Sequence, residues 1–221
     1  MGRLFDEELK RLKERLLHMS GIVEKMIDLA IHALIKRNKR LAQEVFKYED
    51  EINMLHIDVD ELCIKLIALR QPTAKDLRFI TGAMKINSEL ERIGDQSVNI
   101  SENTEIYLSY PEVKPLIDTP RMAEIAKQMV RDSLEAFVKK DAELARSVLK
   151  RDDEVDGLRD QIFRELLTYV VSDPTTTRQA LCLVLISRNI ERIADHATNI
   201  CEDVIYMVLG KDIRHHIERK K

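Results

Sequence analysis

The chain has little of what β-sheets and tight turns require. Of its 221 residues only 5% are aromatic, none is Trp, and six Gly and five Pro are spread over the whole length. Long segments without Gly or Pro, rich in Leu, Ile, Ala, Glu, Lys and Arg, favour helix. No convincing run of alternating β-branched residues is present. We therefore predict an all-α protein.

An excess of charge of one sign is also missing. Lys and Arg number 36 against 39 Asp and Glu, for a formal net charge of −3. The two basic runs, at positions 36–40 and 219–221, are short. Because nucleic-acid binding needs a strongly basic face, we predict no nucleic-acid partner.

The sequence lacks a long apolar run and a leader segment. Its longest apolar run, residues 180–186, is far shorter than the ~20 residues that span a bilayer. The three Cys are odd in number and form no Cys-x-x-Cys, which is typical of reduced thiols. We predict a soluble, cytoplasmic protein without membrane insertion, with Cys182 and Cys201 buried on apolar helix faces.

The chain is an internal duplication. Residues 91–102 read ERIGDQSVNISE and residues 191–202 read ERIADHATNICE, so that seven of twelve positions are identical. Upstream, EDEI at 49–52 corresponds to DDEV at 152–155, and Pro72 corresponds to Pro174. The offset between the halves is therefore 100–103 residues over most of the length, which indicates the same layout in both.

Each half is predicted to form three long helices. Asn38 and Asp141 are N-caps at matching positions, Thr119-Pro120 is a further cap followed by Pro, and Gly210 ends the last helix. The expected result is six up-down antiparallel helices of about 25–35 residues, as two three-helix bundles or one six-helix assembly. We predict a first bundle at 1–110, a linker at 111–119 and a second bundle at 120–221.

The last helix of each half carries an apolar seam with spacings of three and four, typical of a bundle core. In the second half its members are Ile186, Ile190, Ile193, Ala197, Ile200, Val204 and Val208. In the first half they are Ile86, Leu90, Ile93, Ser97, Ile100, Thr104 and Leu108.

The repeated polar residues form a stripe on the other side of the same helix. At ~100° per residue they lie within about 80° of one another, almost opposite the seam. The stripes consist of Glu91, Asp95, Asn99 and Glu102, and of Glu191, Asp195, Asn199 and Glu202.

A second acidic stripe lies on the middle helix of each half. In the second half it contains Asp152, Asp156 and Asp160, with Asp153 beside them; in the first half it contains Glu49, Asp50 and Asn53. Like charges at i, i+4 destabilise a helix by ~0.2–0.5 kcal/mol per pair, so a compensating interaction is expected.

Two interpretations of the stripes remain open. They are solvated faces braced by neighbouring Arg92, Arg188 and Arg192, or they bind metal ions. In the second case the ligands are hard oxygens suited to Mg²⁺, Ca²⁺, Mn²⁺ or iron. His196 lies about 100° from the centre of its stripe, which makes it a weak candidate.

The doubled motif Glu-Arg-Ile-Gly/Ala-Asp, followed by Asn and Glu, resembles the PhoU family, and the resemblance covers nearly the whole chain. It implies two pseudo-symmetric three-helix bundles and multinuclear metal clusters, of iron or other hard divalent cations, which can be lost on purification. The motif pairs would be Glu91 with Asp95, Glu191 with Asp195 and Asp152 with Asp156. The fourth pair departs from the pattern, since Asn53 replaces a carboxylate partner of Glu49.

The resemblance also implies a role. PhoU-like proteins are negative regulators of phosphate uptake and of the phosphate-starvation (Pho regulon) response. They are cytoplasmic adaptors between the phosphate ABC transporter ATPase and a sensor histidine kinase, and a homodimer is expected.

Two other functions are weighed against this one. A structural helical scaffold would carry its acidic stripes fully solvated and bind no metal. A di-iron carboxylate enzyme would need Glu-x-x-His ligands aimed into the bundle, and the sequence contains none. No nucleophile and base are recognisable, so we predict that the chain is not an enzyme.

Overall fold

The computed structural model describes residues 2–213, with side chains from residue 4 onward, and within this range it is helical without β-strands. The helices in chain order are α1 (Gly2–Ile35), α2 (Lys39–Arg70), α3 (Ala74–Tyr107), α4 (Asp118–Lys139), α5 (Ala142–Leu149), α6 (Asp152–Ser172) and α7 (Thr177–Leu209), with a 3₁₀ turn at Pro174–Thr176. None of these helices is long and apolar enough to cross a bilayer. The predicted all-α architecture of two three-helix bundles is confirmed.

The two bundles meet along a pair of central helices. Helices α1, α2 and α3 contact one another, as do α4, α6 and α7, and α3 also packs along α7. The pairing is antiparallel, because Lys85 contacts Asp203 while Glu89, one turn later in α3, contacts Asn199, one turn earlier in α7. Each helix that carries a repeated motif therefore lies both in its own bundle and at the contact between the halves.

The helix ends follow most of the predicted capping signals. The side chain of Asn38 accepts from the N–H of Arg40 at 3.0 Å, and that of Asp141 accepts from two N–H groups of α5 at 3.0 Å. Gly210 ends α7 with a positive φ of 66°. The predicted cap at Thr119 is wrong: α4 begins one residue earlier, at Asp118, and Thr119 is buried in its first turn.

The middle helix of the second half is divided. A tight turn separates α5 from α6, where the N–H of Arg151 bonds to the carbonyl of Val148 at 2.9 Å. The guanidinium of Arg151 also bonds to Asp132 on α4, which anchors the turn to the neighbouring helix. Three acidic residues then open α6, where the helix dipole favours negative charge.

The apolar seams form the core. Of their fourteen members, all but Val208 and Leu108 are fully buried, and those two are partly buried. The three Cys are buried as well and form no disulfide, as predicted for Cys182 and Cys201.

Contacts between the halves reinforce the α3–α7 pair. Phe79 of α3 stacks on Phe137 of α4, with ring centroids 5.0 Å apart and an interplanar angle of 12°. Lys127 of α4 pairs with Asp28 of α1 at 2.8 Å. The segment 108–117 joins the bundles, and Arg37 donates to two of its backbone carbonyls.

Candidate metal centre

The second-half candidate site lies where the start of α6 faces the middle of α7. Burial raises the pKa of Asp152 to about 6, and the negative charges of Asp195, Asp156, Asp153 and Glu191 add to the effect. One carboxylate oxygen of Asp152, Oδ1, is buried without a hydrogen-bond partner. The two predicted stripes of this half are thus brought together into one acidic cluster.

Other members of the cluster are perturbed in the same direction. Burial raises the pKa of Glu191, and the charge of Asp195 adds to it. Burial likewise raises the pKa of Asp195, with Asp156 as the next contributor. Mutually repelling, partly desolvated carboxylates are a good environment for a cation, because a bound positive charge would relieve both effects.

An internal cation already contacts this cluster. The guanidinium of Arg159 on α6 donates to Glu191 Oε1 at 2.6 Å and to Asp160 Oδ1 at 2.9 Å, and lies 3.6 Å from Asp156 Oδ1. The side chain of Glu191 is only 17% exposed, so this ion pair is partly shielded from water. Arg159 therefore supplies part of the compensation that the acidic stripe requires.

The first-half candidate site has the same plan between α2 and α3. Burial raises the pKa of Glu49, followed by the charges of Asp95, Asp50 and Glu102. Burial also raises the pKa of Glu91, and Asp95 contributes again. Five of the predicted first-half ligands are therefore close enough to repel one another.

The positions of the remaining predicted ligands give less support for metal binding. Asn53 and Asp153 are exposed on α2 and α6, and Asn99 and Glu202 are partly buried on α3 and α7. Asn199 uses its side-chain N–H to bond Glu89 Oε2 of the other half, at 3.1 Å.

A polar pair that sequence reasoning missed crosses the interface between α3 and α7. Nδ1 of His196 lies 2.7 Å from Glu89 Oε2, and the two side chains are 10% and 14% exposed. Burial alone would raise the pKa of Glu89, but its hydrogen bonds with His196 and Asn199 lower that pKa below the usual value. The only sequence signal was a His beside the apolar seam, since the position of Glu89 opposite it depends on how the halves pack.

The donor chemistry fits a hard cation. The predicted ligands are carboxylate and amide oxygens, and the unpartnered Oδ1 of Asp152 is a buried lone pair that a cation could satisfy. Within residues 2–213, however, no three His, Cys, Asp or Glu side chains are gathered into a single coordination shell. Metal binding at either cluster would therefore require side-chain rotation, and at the second Arg159 already bonds to one of the two carboxylate oxygens of Glu191.

Parts of the stripes are less exposed than a position opposite the seam suggests. Glu91, Glu191 and Asp152 are all partly buried, because α2 packs beside α3 and α6 beside α7. The candidate sites are consequently clefts between adjacent helices.

We expect Asp152→Asn to stabilise the metal-free protein at pH 7 by about 1–2 kcal/mol, because it removes a half-buried charge that the neighbouring carboxylates repel. The folded-state pKa of about 6 exceeds the ordinary value of 3.8, so Asp152 costs stability above pH 6. That cost disappears as the pH falls towards 3.8. Urea unfolding in EDTA at pH 7 and pH 4 measures the difference between variant and wild type.

The matched control is Asp153→Asn, because Asp153 is an exposed Asp at the next position of the same helix. A stability gain for Asp152→Asn that is as large at pH 4 as at pH 7 would contradict the electrostatic origin.

Comparison with known proteins identifies the family of the chain. The family model described as the PhoU domain matches the chain twice, at residues 16–104 and 119–204. A relative from Aquifex aeolicus, named phosphate-specific transport system accessory protein PhoU homolog, is 44% identical over 97% of both chains. The Escherichia coli protein named phosphate-specific transport system accessory protein PhoU is 35% identical over 96% of this chain and 88% of its own.

Solved structures show the same fold. The crystal structure of PhoU from Pseudomonas aeruginosa superposes with a TM-score of 0.90 at 38% identity, covering 94% of this chain and all of that one. The phosphate transport system regulatory protein PhoU from Streptococcus pneumoniae gives a TM-score of 0.86 at 27% identity, covering 94% and 98%. With two matches to the family model and relatives similar over nearly its full length, the chain belongs to the PhoU family.

Proposed function

We propose that the chain is a non-catalytic negative regulator of phosphate uptake and of the phosphate-starvation response. The names of its relatives, which describe accessory proteins of a phosphate-specific transport system, support the link to phosphate transport. In this proposal the protein is a cytoplasmic homodimer, and its free thiols remain reduced there. It acts as an adaptor between the phosphate ABC transporter ATPase and the sensor histidine kinase.

The observation that carries the metal-binding part of the proposal is the duplicated carboxylate cluster. Both clusters join adjacent helices of a bundle, and both contain carboxyl groups whose pKa values are raised by burial and by one another. Asp152, Asp156, Glu191 and Asp195 would hold the ion in the second half, and Glu49, Glu91 and Asp95 in the first. A bound cation supplies positive charge that neutralises these groups and cross-links the two helices.

The buried thiols argue against cysteine-based catalysis. Burial, with the charge of Asp60, raises the pKa of Cys63 to about 12. Burial raises the pKa of Cys201 as well. Since the thiolate is the nucleophilic form, these groups are inert at neutral pH and serve as packing residues.

The test combines metal content with regulation. We expect alanine replacement of Glu91, Asp95, Glu191 and Asp195 to remove most of the bound metal, because both clusters lose their α3 or α7 ligands. Elemental analysis of protein purified without chelators measures the first effect. For the second, the variant should fail to restore repression of phosphate-starvation genes in a deletion strain grown in phosphate-rich medium.

A charge-matched control replaces four exposed acidic residues outside the clusters, namely Glu14, Glu61, Glu112 and Glu143. Equal metal content in the cluster variant and the wild type would end the site assignment. A deletion strain with unchanged gene expression would end the regulatory one and favour a structural scaffold.

A further inference from the structure

A cleft beside the second-half cluster contains three arginines. It lies between α6 and α7, with a volume of about 480 Å³. The lining includes Arg159, Arg188, Arg192, Ser187, Glu191 and Asp195. Acidic ligand candidates and basic side chains therefore share one cavity.

Two of the three arginines have no assigned partner. Arg188 and Arg192 are exposed, and within the described part of the chain neither makes a hydrogen bond, an ion pair or a ring contact. Arg159, by contrast, is held by Glu191 and Asp160. The charge of Arg192 acts on the carboxyl group of Asp195, so it lies close to the cluster.

The arrangement is confined to the second half. The repeat offsets place His56, Ser88 and Arg92 of the first half at the positions of Arg159, Arg188 and Arg192. Only one of the three is an arginine there. A carboxylate cluster therefore does not need three neighbouring arginines. The first-half cluster, which has one, can be compared with the second-half cluster in the same protein.

The charges around the cleft make anion binding depend on a cation. The three arginines are balanced by Asp160, Glu191 and Asp195, which also line the cleft. An anion would meet no net positive charge as long as this balance holds. The neighbouring ligand candidates Asp152 and Asp156 add further negative charge, so the site repels an anion until a divalent cation on the cluster adds two positive charges.

We propose that this cleft binds a phosphate-type oxyanion next to a metal ion, with Arg188 and Arg192 as its ligands. The proposal rests on the metal binding proposed above. It adds the class of anion, the residues that bind the anion, and the dependence of anion binding on the metal ion. Guanidinium groups suit the ligand, because their planar fork matches two oxygens of a phosphate. By thermodynamic linkage, metal and anion must raise each other's affinity by the same factor.

The test is calorimetric titration of the full-length protein with inorganic phosphate, with and without saturating Mg²⁺. We expect Mg²⁺ to tighten phosphate binding at least about tenfold, since the cation offsets two of the negative charges that repel the anion. The double variant Arg188→Gln with Arg192→Gln should lose that binding. It should still bind Mg²⁺ in phosphate-free buffer, at least as tightly as the wild type, because loss of the positive charge of Arg192 leaves the carboxylate cluster more negative.

Arg92→Gln is the matched control, since it removes the equivalent first-half arginine and should leave phosphate binding unchanged. Titration with ADP in place of phosphate distinguishes the source of the oxyanion: tighter binding of ADP identifies a nucleotide, and tighter binding of phosphate identifies the free ion. Phosphate affinity that is independent of Mg²⁺, or equal in wild type and double variant, would overturn the proposal.

The same measurements distinguish an incorrect anion site from an incorrect metal site. Mg²⁺ binding in phosphate-free buffer reports on the carboxylate clusters alone, and phosphate binding at saturating Mg²⁺ reports on the arginines. Normal Mg²⁺ binding without any phosphate binding would refute the proposed anion site but not the proposed metal site.

Discussion

Replacing Phe137 by Ala is expected to destabilise the protein by about 3–5 kcal/mol, the usual cost of removing a buried aromatic ring. The ring of Phe137 is fully buried and stacks on that of Phe79, which is 3% exposed. Because one ring comes from α4 and the other from α3, the substitution leaves a cavity at the contact between the halves. Urea unfolding followed by circular dichroism measures the loss.

Phe163→Ala is the control, since Phe163 is 46% exposed and should cost about 1 kcal/mol or less. A double-mutant cycle with Phe79→Ala should give a coupling energy of about 0.5–1.5 kcal/mol from the ring pair. A loss for Phe137→Ala no larger than that for Phe163→Ala would mean that the interface is not formed as described.

Replacing Glu89 by Ala is the second large perturbation, with an expected loss of about 2–3 kcal/mol. The substitution leaves the buried His196 and the exposed Asn199 without the carboxylate that joins them between α3 and α7. Removing one partner of a buried polar pair costs more than the pair contributes, since the other group keeps its desolvation penalty. Nε2 of His196 already has no hydrogen-bond partner, so little alternative pairing is available.

The comparison variant is Glu44→Ala, an exposed glutamate in the second turn of α2, for which a change within about 0.5 kcal/mol is expected. Replacing Glu89 and His196 together by Leu should recover much of the loss, because no buried polar group is then left unpaired and the exposed Asn199 can bond to water. Equal stability of Glu89→Ala and Glu44→Ala would contradict the pairing.

Much of the fold could be predicted because it depends on local signals. Caps such as Asn38 and Asp141 act through backbone groups two or three residues away, and the periodicity of the seams identifies the buried face. The division between α5 and α6 could not be predicted in this way. It involves the contact of Arg151 with Asp132 on another helix, and no Gly or Pro marks the turn.

In the candidate site, too, the features set by local spacing could be predicted and those set by helix packing could not. The spacing of Glu191 and Asp195 predicts that they share a face, and the doubled motif predicts two equivalent clusters. The contact of Arg159 with Glu191 and the cleft that Arg188 and Arg192 share depend on how α6 lies against α7. A stripe read from a single helix contains no information about the neighbour that will cover it.

The pairing of Glu89 with His196 has a consequence for the history of the duplicated chain. The repeat relates Glu89 to Asn189 and His196 to Gln96, so that the pseudo-equivalent positions lack both the carboxylate and the imidazole. Two copies of the first half would set Glu89 against Gln96, and two copies of the second would set Asn189 against His196. The present halves have therefore become complementary rather than interchangeable, and an ancestor assembled from identical repeats would have needed a different bond at this crossing.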